Sequence, residues 1–208
     1  MAISFDPRRR TFLLKRALLI ALTILLGFLT GCVSGGSGDR EKLLKIREKY
    51  LAAKEFVATA QMVADYGDRV YNYKLTYVGD GAKGEMSVLE PQNIKGLRAL
   101  IDGSDVILKY DGALLETGVF SKNGISPIEA FPLMINAWEN GFITAGYRER
   151  LNEYDCLVAE IDMTRAGETD ALLQRVWFAS DTGLPVKAEI RVNGFTVINC
   201  DFEDAQLR

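Results

Sequence analysis

From Phe56 to Phe202 apolar and polar side chains alternate with a period of two along most of the chain, and only two stretches show a period near 3.6. That pattern predicts a mainly β protein with two helices. Phe56, Ala58, Ala60, Met62, Ala64 and Tyr66 alternate with Val57, Thr59, Gln61, Val63 and Asp65. After Gly67-Asp68, Tyr71, Tyr73, Leu75 and Tyr77 alternate with Asn72, Lys74 and Thr76, which makes a hairpin of two long strands. The alanines of 56–66 would also suit a helix, but alternation that continues past a turn decides for strand. Further strands are expected at 85–90, 106–110, 113–115, 143–151, 154–162, 172–178, 186–192 and 195–202, nine or so in all. Asp111-Gly112 and Asn193-Gly194 supply turns that suit type I′ hairpins. The stretch 92–101, carrying Ile94, Leu97 and Ile101, reads as a short helical or turn connection. In 186–192 the alternation is perfect, which describes an antiparallel sheet with one dry and one wet face.

The first helix is expected from Asp39, as N-cap, to about Lys54, with Leu43, Leu44, Ile46, Tyr50 and Leu51 at helical spacing. The second starts at Ser126-Pro127-Ile128-Glu129, where Ser126 and Glu129 form a capping box and proline takes the first helical position. Its apolar stripe is Ile128, Phe131, Ile135, Trp138 and Phe142; Pro132 is expected to kink or divide it and Gly141 to end it. The economical architecture is a strongly curved antiparallel sheet folded over a helix.

The N-terminus changes where this domain would work. Arg8, Arg9, Arg10, Lys15 and Arg16 precede the apolar run Ala17 to Leu29, the layout of a secretory signal. Thirteen residues make a helix of roughly 20 Å, short of the ~30 Å hydrocarbon core, so a processed signal fits better than a spanning anchor. Leu29-Thr30-Gly31-Cys32 resembles the lipobox of bacterial lipoproteins, with Cys32 as the diacylglyceryl site. The expected organisation is a signal peptide over 1–31, a flexible tether over 32–38 and one domain over 39–208, held at the extracytoplasmic face of the cell membrane by lipid on Cys32. Lys42, Lys45 and Lys49 recur on one helix face close to that anchor; they suit anionic headgroups, or equally a solvated face balanced by Glu41 and Glu48.

Composition narrows the chemistry. The 208 residues include no histidine, which removes Ser-His-Asp and Cys-His catalytic groups, HExxH zinc sites and a simple pH switch. The net charge of −3 becomes −7 once residues 1–31 take away five of the 25 basic and one of the 28 acidic side chains, so no nucleic-acid surface is expected. Gly79-Asp80-Gly81-Ala82-Lys83-Gly84 matches GxGxxG, but a strand closed by Pro91 follows instead of a helix, so it reads as a hairpin loop. Glu153 with Asp155, and Asp201 with Glu203, sit at strand ends as solvated carboxylates. Cys156 and Cys200 each lie in an apolar strand and read as two buried thiols or as a disulfide. No enzymatic activity, cofactor or metal is expected. Tyr71, Tyr73, Tyr77, Tyr110, Phe131, Ile135, Trp138 and Trp177 are the candidate ligand-binding residues, since a curved sheet closed by an apolar helix makes a concave apolar pocket unless those same rings fill it.

A lipid-anchored helix, long N-terminal strands, Pro91-Gln92-Asn93-Ile94-Lys95-Gly96, a hairpin around Asp111-Gly112, a proline-containing helix and Trp177-Phe178-Ala179-Ser180-Asp181-Thr182-Gly183-Leu184-Pro185 together resemble the lipoprotein-localisation (LolA/LolB-like) family over roughly residues 40 to 204. The version most similar is the lipid-anchored Gram-positive branch that includes germination lipoproteins. The resemblance implies an unclosed half-barrel of about eleven strands, covered on its concave side by helices. It also implies a cavity for a hydrophobic ligand, an acyl chain or a lipoprotein, or a protein-docking scaffold that stabilises an envelope or spore-cortex hydrolase.

Overall fold

The chain divides into two compact units, Met1–Ser34 and Gly35–Arg208. The computed structural model describes residues 37–103, 105–116, 125–164, 167 and 169–208. The signal segment, Cys32 and all but the last two residues of the expected tether lie outside the described residues. Among the described residues no helix is long and apolar enough to cross a membrane. The second unit holds the whole sheet and its own core, the requirement for folding alone.

In chain order the elements are α1 (Ser37–Ala52), β1 (Phe56–Asp65), β2 (Val70–Gly79), β3 (Lys83–Glu90), a 3-10 turn (Gln92–Ile94), β4 (Arg98–Asp102), β5 (Asp105–Tyr110) and β6 (Ala113–Glu116). They continue with α2 (Pro127–Asn140), β7 (Phe142–Leu151), β8 (Tyr154–Asp162), β9 (Leu172–Ala179), β10 (Pro185–Val192) and β11 (Phe195–Leu207). All eleven strands form one antiparallel sheet in the order β6-β5-β4-β3-β2-β1-β11-β10-β9-β8-β7. Every neighbour is also a neighbour in sequence except β1 and β11, which join two meanders in the middle. β6 and β7 stand at opposite ends, so the sheet does not close. This is the unclosed half-barrel that the sequence led us to expect.

That order dictates where α2 runs. The chain leaves the sheet at one edge, β6, and re-enters it at the other, β7, so the connection between them must traverse a face of the sheet. A flat sheet of eleven strands at ~4.8 Å would hold its edges roughly 48 Å apart, and α2 covers about 21 Å of that crossing. Curling the sheet around the helix shortens the crossing and buries α2, whose Ala130, Phe131, Met134, Ile135, Ala137 and Trp138 are all buried. Against expectation, the helix runs unbroken through Pro132. The proline forfeits a hydrogen bond to the Ile128 carbonyl, but burial of side chains on both sides of it keeps the turns in line.

Local signals account for the ends of α2. Ser126 Oγ accepts from the Glu129 amide at 3.3 Å, and the Glu129 carboxylate accepts from the Ser126 amide at 3.1 Å, completing the capping box. At the other end Arg47 of α1 donates to the carbonyls of Trp138 (2.9 Å) and Gly141 (2.6 Å), placing a guanidinium on the negative end of the helix. Gly141 ends α2 in extended backbone, not in a left-handed turn, and glycine is needed for closeness: a Cβ there would lie 2.6 Å from the Ala137 carbonyl and closer still to Ile161.

The remaining departures are local. α1 begins at Ser37, so Asp39 lies inside its first turn and pairs with Arg148 at 2.9 Å instead of capping. The stretch 92–101 contains a 3-10 turn and then β4, a five-residue strand too short to show its alternation. β11 runs on to Leu207, and the sheet has eleven strands where periodicity alone suggests nine or so. The Thr182-Gly183-Leu184 turn between β9 and β10 receives α1: Lys49 donates to the Thr182 carbonyl and the Tyr50 hydroxyl to that of Gly183.

Gly141→Ala is expected to destabilise the fold by about 2–3 kcal/mol in urea unfolding, because Ile161 and the helix end have to yield to the new methyl. Gly38→Ala, which meets nothing within 4 Å, should be neutral or slightly stabilising.

Candidate functional site

The concave face under α2 is where the sequence-predicted residues converge. Alternation along each strand directs one set of side chains inward, among them Ala58, Ala60, Ala64, Ala99, Ala159 and Ala188, all buried. These small residues make a smooth floor, flanked by Met62, Leu75, Met86, Val88, Ile190 and Ile198 in the same core. α2 lies over it, against β3, β8 and β10, with α1 at its side.

Tyr77, Phe131, Ile135 and Trp138 meet here. Phe131 stacks on Tyr77 with centroids 5.1 Å apart and planes 9° from parallel. Trp138 stands edge-on to Tyr50 at 5.2 Å, Phe56 at 5.4 Å and Phe178 at 5.7 Å. Behind Trp138 is packed core, and the ring is only 2% exposed. Beside it a cleft lined by Tyr50, Phe56, Ile135, Glu55, Asp80 and Glu139 holds about 10 Å³, one water's volume. The filled-core alternative therefore describes this part of the concave face.

Tyr77 also explains the glycine-rich turn. Its hydroxyl accepts from the Gly81 amide at 3.3 Å, and a Cβ at Gly79 or Gly84 would lie 2.6–2.7 Å from that oxygen. Gly81, at φ +87°, makes the turn, while Gly79 and Gly84 let the ring reach under it. Burial pushes the Tyr77 phenol up to about 12, so it stays neutral.

The other expected site residues lie outside this cluster, Tyr71 and Tyr73 on the same face of the sheet opposite Ala64 and Met62 of β1, and Tyr73 packed against the core. Tyr71 and Tyr73 stack at 6.4 Å, with Tyr66 at one end of the row donating to the Ile125 carbonyl; Tyr71 is 40% exposed. Tyr110 is exposed and donates to the Asn93 carbonyl, tying β5 to the 3-10 turn. Trp177 points to the opposite face of the sheet, because Val176 and Phe178 on either side of it point inward. There it packs with Cys156 and Val158 beneath the cations of Arg175 and Lys187. Phe142, expected on the α2 stripe, is 68% exposed at the start of β7. Cys156 lies on the Trp177 face and Cys200 in the concave core, so both are free thiols separated by the sheet. Of the carboxylate pairs, Glu203 is engaged by Lys74 at 2.6 Å and Gln61 at 3.0 Å.

Two polar groups lie unpartnered in the concave core, and one of them, Gln174, is not among the residues expected from the sequence. Gln174, at an inward position of β9, is 1% exposed, and neither its amide nitrogen nor its oxygen has a hydrogen-bond partner. Trp138 Nε1 is likewise buried and unpartnered. The signal for Gln174 was present in the strand phase: Leu172, Gln174, Val176 and Phe178 share one face, and only Gln174 among them is polar.

No protein-family model matches the chain, and no curated protein does. Among solved structures the chain is similar to a LolA superfamily protein from Nitrosomonas europaea, at 14% identity and TM-score 0.42, with 81% of this chain and 93% of that one covered. It is similar to the Mycobacterium tuberculosis lipoprotein LppX at 12% and 0.45, covering 79% and 94%. It is also similar to a chain of the complex between the CwlD amidase and the GerS lipoprotein of Clostridioides difficile, at 14% and 0.41, covering 81% and 95%.

Glu139, beside the small cleft, has its carboxyl held above the ordinary value of 4.5, first by burial and then by Asp80. A raised carboxyl pKa adds stability below the unfolded value and loses it as pH rises through the folded one. Glu139→Gln should therefore melt progressively higher than the parent as pH is raised from about 4 to about 7. An equal gap at both ends would contradict this assignment.

Proposed function

We propose that this is a non-enzymatic, lipid-anchored lipoprotein of the extracytoplasmic membrane face that takes up a hydrophobic ligand, an acyl chain or a lipoprotein's acyl group, on the concave face of its half-barrel. α2 occupies that face when no ligand is bound. The observation that carries the reading is the alanine floor under α2. A face built of small residues with methionines beside them leaves an apolar trough the width of a helix once α2 moves, and methionine side chains adapt to whatever enters. α2 is suited to exchange. It is one 14-residue helix with a proline in its interior, so its own backbone contributes little to holding it down. Apolar burial at about 25 cal/mol per Å² would supply the affinity. The lipobox-like Leu29-Thr30-Gly31-Cys32 supports lipidation of Cys32, which with a few following residues would hold the domain next to the source of such ligands.

A second reading, a scaffold that docks and stabilises an envelope or spore-cortex hydrolase, is favoured by the tight packing around Trp138. The two separate on one preparation. Protein purified from membranes should carry diacylglyceryl-modified Cys32, and the separately produced unit Gly35–Arg208 should bind a fluorescent fatty acid and release extracted lipid to mass spectrometry. No bound lipid and no probe binding, together with a hydrolase captured by crosslinking that a Trp138→Ala variant still retains, would overturn the first reading in favour of the second.

A further inference from the structure

The unpartnered Gln174 amide gives the ligand a chemistry. Its neighbours across the strands are Ile161 and Ile190, and the same inward row continues through Ile198 and Ala64. An amide buried in such a row without partners costs stability, because its donors and acceptor have exchanged water for hydrocarbon. Leucine or methionine would fill the place without that cost. Gln174 also stands near one end of the trough: β9 begins at Leu172, whose amide is held by Thr164 Oγ1 at 3.0 Å, and from Gln174 the inward residues Val176 and Phe178 lead down to Trp138. A primary amide presents one acceptor and two donors in a plane.

Resting on the ligand-binding reading above, we infer that Gln174 is the polar anchor of the concave site, and that the ligand is an acyl lipid whose head offers both a carbonyl acceptor and a hydroxyl donor, as a monoacylglycerol does. The carbonyl accepts from Gln174 Nε2 and the hydroxyl donates to Oε1, while the chain lies along Val176 and the alanine floor toward Phe178. A head with a carbonyl alone satisfies half of the amide, and a plain hydrocarbon none of it.

The test uses the unit Gly35–Arg208 with three probes of one chain length: a monoacylglycerol, the corresponding fatty-acid methyl ester and a terminal alkene. The parent should bind them in that order, with about tenfold between successive members for each hydrogen bond lost. Gln174→Leu should raise the melting temperature of the ligand-free protein by roughly 4–8 °C and flatten the order by weakening the monoacylglycerol most and the methyl ester less, with the alkene unchanged. Gln174→Met, closer in shape, should do the same if leucine packs poorly. An unchanged or lowered melting temperature in both variants would mean that the amide is satisfied, by an ordered water for instance, and overturns the inference. So would a parent that binds the three probes equally, which leaves the ligand-binding reading standing. A parent that binds none of them removes that reading and the inference with it.

Discussion

The connection from β6 to β7 is the constraint on which the rest depends. Two meanders joined at β1 and β11 place the outgoing edge and the returning edge at opposite ends of one sheet. A chain that must get from one to the other across a face lays a helix on that face, and a sheet curled around the helix buries it on several sides, which requires the helix to be apolar. The alanines of β1, β4, β8 and β10 then follow as a matter of volume: larger inward residues would lift α2 off the floor. Trp138 fills the end where the trough meets α1, and Arg47 reaches across to hold the helix terminus to which that tryptophan belongs.

On the proposed reading, this arrangement separates what makes the protein stable from what would let it bind. The sheet carries the continuous hydrogen-bond ladder, and its centre, β1 paired with β11 and β2, does not depend on α2 for its register. α2 holds its place by side-chain burial and by its two ends, where Tyr66 donates to the Ile125 carbonyl just before the helix and Arg47 donates to the carbonyls of Trp138 and Gly141. An element attached mainly by apolar area can be replaced by another apolar object of similar shape at small net cost, whereas a central strand cannot. The unpartnered groups on the concave side, Gln174 and Trp138 Nε1, fit the proposed division, since polar atoms left unsatisfied in the filled state would favour a different occupant.

Much of this was legible before any coordinates. Strand alternation, the two Xaa-Gly turns and the capping box at Ser126 are local signals, and each predicts its element because the energy that decides it is local. What escaped depends on contacts distant in sequence. β4 is too short to carry its own period and is defined by pairing with β3 and β5. Pro132 is tolerated because packing outweighs one lost hydrogen bond. Gly79 and Gly84 answer to the Tyr77 hydroxyl, which no spacing rule contains. Trp138 and Trp177 looked equivalent as aromatic supply, yet strand phase puts Trp177 on the other side of the sheet. The same strand phase in β9 marks Gln174 as a polar residue among inward apolar ones.

The central claim is that α2 and an acyl ligand compete for one face. Amide hydrogen exchange on the unit Gly35–Arg208, free and saturated with a monoacylglycerol, tests it most directly. The account predicts that the amides of α2 from Phe131 to Trp138 lose protection on saturation, while those of β8, β9 and β10 keep or gain it. Full protection of α2 in the saturated protein would show that helix and ligand do not share the face, and would contradict the account.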